Sequence, residues 1–424
     1  MTHPELLVPH TYDSNLKKLT IRGATEFPRV LFSIADDIEI LDMSFGHMTT
    51  LPDDFNRLSN LKIVFFSYND FQEVPEVLGT CSNLVMIGFK SCKITRLSGK
   101  SLPLSLRALI LTDNLLSSLP SSIGKLKHLQ KLTVTGNRLT DLPRDILACT
   151  NLEFIRIAAN QFSVLPEWLL DLPRLAWYSD AGNPGSKPAP RTDNAHTIPW
   201  HDITLGEEIG RSPKNIVYKA VLTATNHPCA IKLYGESVTA DGYTDDEIGA
   251  SLAIGTHENI IPVLGKLSGA PDEKQGLVMD LIPEDFTSLG LPPDFNSLIR
   301  DTYPPDQIFS ISFVATIVRG IASSIQHLHD RSITHGDIYA HNILVNSVGH
   351  PYLGDFGAAT LYSQAANHRR ENVERRAFVH LVGELVAQCE VARTSQDIKT
   401  HEILVSFTDK RTTLSLTDFY HALR

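Results

Sequence analysis

One hydrophobic signature returns eight times in the first 184 residues, and no other feature restricts the fold so tightly. The pattern LxxLxLxxNxLxxLP begins at Leu16, Ile38, Leu61, Leu84, Leu106, Leu129, Leu152 and Leu175, in steps of 22 or 23 residues. Its clearest copies run Leu129, Leu132, Val134, Asn137, Leu139, Leu142, Pro143 and then Leu152, Ile155, Ile157, Asn160, Phe162, Leu165, Pro166. Each copy predicts a short strand with alternate side chains inward, a turn, and a convex return segment. One copy cannot bury its apolar face alone, so the copies must stack. Asn69, Asn114, Asn137, Asn160 and Asn183 fall where the chain leaves the strand. A buried amide there satisfies backbone groups that would otherwise cost about 1–3 kcal/mol each.

This array resembles the leucine-rich-repeat family, in its 23-residue form with a Leu-Pro step, over residues 16–184. The resemblance implies a curved α/β solenoid whose concave face binds a protein partner. Ile63, Phe65, Tyr68, Ile110, Lys131 and Arg156 are expected on that face, with Phe65, Tyr68 and Arg156 the foremost contacts because aromatic and arginine side chains favour interfaces. After Asn183-Pro184 the periodicity stops, and GSKPAPRTDNAHTIPW reads as a linker ending near Trp200. The expected division is therefore a repeat domain over 1–184, a linker over 185–199 and a second domain over 200–424.

A chain of 424 residues with 42% hydrophobic content has material for two cores. The most apolar run, Ser312–Val318, is cut short by Arg319, and the N-terminus lacks a basic region followed by an apolar one, so the expectation is a soluble, cytoplasmic protein with no membrane partner. Cys81, Cys92, Cys149, Cys229 and Cys389 are scattered and odd in number, which argues against disulfides and zinc. Residues 1–190 hold 19 basic and 19 acidic side chains, while residues 191–424 hold 19 and 29. The second half carries the whole net charge of −10, and an acidic surface repels phosphate backbones, so nucleic acid is not expected as a partner.

That second half presents, in order, the groups that phosphoryl transfer requires: something to hold the nucleotide phosphates, a cation to neutralise them, and a group to orient the acceptor hydroxyl. Ile203–Ile209 and Ile216–Leu222 read as strands joined by a turn from Gly210 to Asn215, and Cys229–Leu233 as a third strand bearing Lys232. Glu247 follows, then a strand from Gly276 to Ile282, then His335-Gly336-Asp337 with Asn342 five residues on, and Asp355-Phe356-Gly357. These residues resemble protein kinases over about 198–424, which implies a two-lobed α+β domain using ATP and Mg²⁺. By that resemblance Lys232 contacts the α and β phosphates, Glu247 is its helix partner, Asp337 is the catalytic base, and Asn342 and Asp355 hold the metal. Gly210 and Ser212 belong to the phosphate-covering loop, while Val217, Ala230, Met279 and Leu344 wall the adenine pocket.

The departures from the family pattern are informative. Ser212 and Asn215 replace loop glycines; His-Gly-Asp lacks the arginine that couples the catalytic loop to a phosphorylated activation segment; Tyr339 stands in place of a lysine. The chain from Asp355 to the next expected helix, Glu374–Gln388, is short, and Arg411 is the candidate for the family's late arginine. The expected function is transfer of the γ-phosphoryl group to a Ser or Thr hydroxyl, the repeats recruiting a partner or substrate. The alternatives are a weak or inactive pseudokinase scaffold, or a small-molecule phosphotransferase of the aminoglycoside kinase type, whose catalytic loop the His335–Asn342 segment also resembles.

Overall fold

The structure is a computed structural model that describes residues 9–188, 196–212, 215–363, 367–408 and 415–423. Its contacts divide the chain into two units: Met1–Leu175 with Asn183–Gly185, and Ala176–Gly182 with Ser186–Arg424. This division falls earlier than the end of the periodic sequence, because the strand of the eighth copy packs within the second unit. Residues 189–195 of the expected linker lie outside the described residues.

In the first unit each copy becomes one rung. Strands β1 (His10–Asp13) and β2 (Lys18–Ile21) form an antiparallel hairpin, and β3 (Ile40–Asp42), β4 (Ile63–Phe65), β5 (Met86–Gly88), β6 (Ala108–Ile110), β7 (Lys131–Thr133) and β8 (Phe154–Arg156) continue from β2 as a parallel ladder. Partners across the ladder are equivalent positions of successive copies, such as Ile40 with Ile63 and Lys131 with Phe154. Register and repeat length are thus one constraint: inserting a residue in one copy would turn its inward side chains outward. Strand β1 has no counterpart in the repeat pattern, whereas β2 is the strand of the first copy. Strand β1 covers the ladder edge that the first copy would expose.

The Leu-Pro step has a direct local effect. Pro75, Pro120, Pro143 and Pro166 cap the convex 3-10 turns Glu76–Thr80, Ser121–Lys125, Arg144–Ala148 and Glu167–Asp171, where a fixed φ starts the turn and no backbone donor is needed. The asparagines form a buried ladder. Asn137 Oδ1 accepts from Leu116 N at 3.0 Å and its Nδ2 donates to the carbonyls of Leu111 and Val134, both at 2.9 Å. Asn160 repeats this with Leu139 N, Val134 O and Ile157 O, and Asn183 accepts from Phe162 N. In the fourth copy Cys92 takes the asparagine position, its thiol donating to Phe66 O at 3.1 Å. The five cysteines are unpaired, and burial pushes the Cys81, Cys92 and Cys149 thiols up to about 11.

The second unit opens with a six-stranded sheet in the order β10-β14-β15-β13-β12-β11. Its strands are β10 (Thr197–Pro199), β11 (Ile203–Arg211), β12 (Asn215–Leu222), β13 (His227–Tyr234), β14 (Val263–Ser268) and β15 (Gly276–Asp280). The linker was expected to run to residue 199, yet β10 pairs in parallel with β14 and buries Ile198 against Cys229, Ile231, Leu267 and Val278. Helix α1 (Thr244–Ala253) precedes β14. The rest of the unit is helical with short strands: β16 (Thr287–Ser288), α2 (Ile311–His329), β17 (Ile333–Thr334), β18 (Ile343–Val345), β19 (Pro351–Leu353), β20 (Thr360–Leu361), α3 (Asn367–Ala387), α4 (Ser395–Thr408) and α5 (Leu416–Ala422).

Ser310 caps α2 by accepting from Phe313 N, and the helix buries Val314, Ile317, Val318, Ile321, Ile325 and Leu328. It is long and apolar enough by composition to cross a membrane, and 56% of that stretch is buried inside the unit. The single Arg319 does not interrupt it. Helix α3 begins seven residues before the expected Glu374, and Arg411 lies outside the described residues.

Replacing Asn137 by Ala should therefore destabilise the repeat unit by about 2 kcal/mol or more, since one buried donor and two carbonyls lose their partner. Urea unfolding of the full chain, followed by a probe in the repeats, checks this; an unchanged midpoint would mean that water replaces the amide.

Candidate active site

Strands β13 and β15 and helix α1 place the first group of side chains. Side chains on a strand alternate in direction, so Lys232 and Tyr234 leave β13 on the same face, toward α1. Lys232 Nζ lies 2.6 Å from Glu247 Oε1 and 3.2 Å from Asp355 Oδ1. The two carboxylates differ in setting: the Glu247 side chain is 5% exposed, that of Asp355 57%, so the ammonium joins an interior anchor to an open one. Burial opposes the charge of Lys232, but Asp355 and Glu247 outweigh it and hold the ammonium above its ordinary range. Lys232 in turn holds the Asp355 carboxyl below its usual value. Burial dominates at Glu247 and raises it.

Tyr234, which sequence reasoning missed, donates its hydroxyl to Glu247 Oε1 at 2.8 Å. The signal was present: it stands two residues after Lys232 on one strand, where a side chain must share its face. Across the sheet Val217 is in register with Lys232, and Ala230 with Met279. These residues, Gly210, Ser212, Leu344, Asp355 and Phe356 line one cleft of about 830 Å³. That volume and its mostly apolar lining suit a small organic ligand with one polar end.

The second group comes from the loop between β17 and β18. His335 is fully buried; its Nε2 donates to Gly354 O at 2.9 Å and its Nδ1 accepts from Asp337 N at 3.2 Å, so the imidazole ties the loop to the strand end before Asp355. Asn342 Nδ2 donates to Asp337 O at 3.0 Å and to Asp337 Oδ2 at 3.1 Å. The carboxylate is thereby oriented from within its own loop. Asp355 adopts φ +55, a left-handed conformation that aspartate tolerates better than bulkier residues do. Gly336 N donates to Glu374 Oε1 at 2.8 Å, and His329 Nε2 lies 2.7 Å from Glu374 Oε2, so one buried carboxylate joins the loop to α2 and α3. Glu374 was expected only as the start of a helix.

Two site residues differ in detail from expectation. Ser212 turns its hydroxyl into its own hairpin, where Oγ accepts from Asn215 N at 3.0 Å, while Ser212 N donates to Asn215 O at 2.8 Å. Pro213 and Lys214 of that turn lie outside the described residues. Tyr339 is buried, with its hydroxyl donating to Ile299 O at 3.3 Å, so it does not reach the cleft as the lysine it replaces would. Among the described residues no group of three His, Cys, Asp or Glu side chains is placed to hold a metal. Asp355 lines the cleft together with the carboxylates of Glu207, Glu208, Glu247, Asp280 and Glu284, while Asn342 stands in the loop beside Asp337.

Residues 203–383 match the family model of the protein kinase domain. The rust resistance kinase Lr10 of Triticum aestivum is 27% identical over 158 residues, 37% of this chain and 23% of that protein. The probable serine/threonine-protein kinase glkA of Dictyostelium discoideum is 32% identical over 119 residues, 28% of this chain and 22% of its own. Cyclin-dependent kinase 11.2 of Caenorhabditis elegans is 27% identical over 152 residues, 35% and 21% of the two chains. The matches thus span about a fifth of the length of these curated relatives. A solved leucine-rich-repeat protein of Leptospira interrogans covers 38% of this chain and 41% of its own, at 26% identity and a TM-score of 0.37. Residues 203–383 match the protein kinase domain, and the chain joins them to a ladder of 22- and 23-residue repeats that resembles leucine-rich repeats.

Proposed function

We propose that the second unit is an ATP-dependent kinase that transfers the γ-phosphoryl group to a Ser or Thr hydroxyl of a protein. The observation that supports this reading best is Lys232 held between Glu247 and Asp355 in the wall of the cleft, with Asp337 oriented by Asn342. A magnesium-bound nucleotide supplies the phosphoryl group, and Asp355 with Asn342 offers the hard oxygen donors that such a cation takes. Val217, Ala230, Met279 and Leu344 form the apolar walls on which an adenine ring would rest. Lys232, kept charged by its two carboxylates, neutralises phosphate oxygens. Asp337 accepts or orients the proton of the acceptor hydroxyl, and the Asn342 contact fixes which oxygen faces it.

The repeats supply recruitment in this reading. Phe45 is 57% exposed, and Tyr68 stacks on it with ring centroids 4.5 Å apart. Arg22 lies 5.6 Å from the Phe45 ring. An exposed aromatic ring with a half-buried tyrosine and arginine against it suits a protein partner. Phe65 is half-buried, and its ring fills the space beside Gly88 on the next rung. Arg156, expected on the binding face, is buried with its guanidinium 4.3 Å from the Phe154 ring, so it drops out of the proposed contact set.

MgATP at about 100 times its dissociation constant should stabilise the kinase unit by about 2.7 kcal/mol in a thermal-shift titration. Asp355→Ala should lose that shift. Asp337→Asn should keep it while turnover, measured as radiolabelled phosphate on protein, falls by about 10²–10⁴-fold. No shift in cooperatively melting wild type would leave a scaffold, and label on small hydroxyl compounds alone would move the assignment to a small-molecule kinase. Replacing Phe45 and Tyr68 together by Ala should cost the repeat unit no more than about 1.5 kcal/mol in urea unfolding and leave the nucleotide shift unchanged; a larger loss would place them in the core.

A further inference from the structure

The eighth copy of the repeat breaks the pattern where the others keep it. Positions filled by Leu132 and Val134, or by Ile155 and Ile157, are here Tyr178 and Asp180, and the strand β9 (Trp177–Ser179) lies between the copy's first leucine and that aspartate. Asp180 is fully buried and pairs bidentately with Arg370 of α3, at 3.0 and 2.7 Å. Tyr178 donates its hydroxyl to the same carboxylate at 2.8 Å. A buried charge at a position made for an aliphatic side chain is costly unless its partner is fixed, so these substitutions suit α3 rather than the packing of a repeat.

Trp177 meets the catalytic loop directly. Its indole stacks on Tyr339 with centroids 4.7 Å apart and planes 5° from parallel, and its Nε1 donates to Ile338 O at 3.1 Å. Ile338 and Tyr339 are the two residues that follow Asp337. The guanidinium of Arg300 and the ring of His380 lie 4.8 and 5.5 Å from the same indole. Tyr178 also borders the glycine of His-Gly-Asp. Gly336 adopts φ +75, and a Cβ there would stand 2.6 Å from Ala358 O and 2.9 Å from Tyr178 O. The left-handed conformation and these two carbonyls leave no room for an arginine at 336.

The same segment touches the helix that bears Glu247. Ser179 Oγ donates to Asp241 O at 3.3 Å, and Gly182, at φ +73, packs so closely on Asp246 and Tyr243 that a Cβ would come within 2.6 Å of each. Tyr243 is the N-cap of α1.

We infer that Ala176–Gly182 is a built-in brace of the kinase unit, with Trp177 as a positioning residue that holds Ile338 and Tyr339, and hence Asp337, in working geometry without a phosphorylated activation segment. The inference rests on the kinase activity proposed above, and Trp177 itself touches no reacting atom. In the full chain, Trp177→Ala should lower kcat by about 10²-fold, the scale of loss for a slightly misplaced catalytic group. The KM for MgATP should stay within about twofold, because the groups that hold nucleotide are untouched. Trp177→Phe keeps a ring against Tyr339 but loses the N–H donor, and its kcat should fall between the two. Amide hydrogen exchange at Ile338–Asn342 should quicken in both variants, and phosphatase treatment of the wild type should leave kcat unchanged.

A folded Trp177→Ala protein with wild-type kcat and wild-type exchange overturns the brace, as does loss of activity on phosphatase treatment. Should the alanine variant not fold, Trp177→Phe decides by the same two readings. If wild type labels no acceptor, the kinase assignment fails by itself, and exchange at Ile338–Asn342 still tells whether Trp177 holds the loop.

Discussion

An ammonium in a cleft where burial opposes its charge can stay only if carboxylates are brought to it, and the kinase unit is arranged around that requirement at Lys232. Strand β13 carries the lysine, α1 carries Glu247, and the segment after β19 carries Asp355. Three elements distant in sequence must therefore meet within about 4 Å, the reach of an ion pair. Tyr234 fixes the inner carboxylate from the same strand face, while Asp355 remains open to the cleft. That asymmetry gives the site its direction: one partner lies in the interior, and the other faces the cleft.

The catalytic loop is held in the same manner, by polar groups that have no free alternative. His335 spends both ring nitrogens on backbone, Asn342 spends its amide nitrogen on Asp337, and Glu374 receives Gly336 N and His329. Each is a buried or half-buried group for which a lost partner would cost about 1–3 kcal/mol. The loop is thus over-determined, which is what preorganised orientation of a carboxylate requires. Gly336 shows why one departure from the family pattern is tolerated: its backbone conformation and close neighbours leave no room for a side chain.

The repeat unit obeys a different logic. Its stability is built rung by rung from one apolar core and one ladder of buried amides, so each copy depends on its neighbours and hardly on anything distant. Cys92 in the asparagine position illustrates how far the pattern bends: a thiol can donate to Phe66 O but cannot also accept as an amide does. Phe45 is exposed and Tyr68 half-buried, and the stacked pair lies outside that core.

How much of this was legible in the chain follows from the range of each interaction. Repeat spacing, strand alternation and the Leu-Pro turns are local, so the starts from Leu16 to Leu175, the asparagine positions and the strand bearing Lys232 could be read directly. The order of Lys232, Glu247, Asp337, Asn342 and Asp355 could be read as well, because it is a one-dimensional pattern. What could not be read depends on contacts between distant segments. The hairpin β1–β2, the pairing of β10 with β14, the burial of Arg156 and Tyr339, and the turning of Ser212 into its own hairpin are of this kind. Above all, the contacts of the eighth copy with α3 and the catalytic loop could not be read. Sequence alone determined that Ala176–Gly182 has the spacing of a rung; only the tertiary structure decided that it packs with the kinase unit, because Asp180 is stable when buried only where Arg370, 190 residues away, meets it.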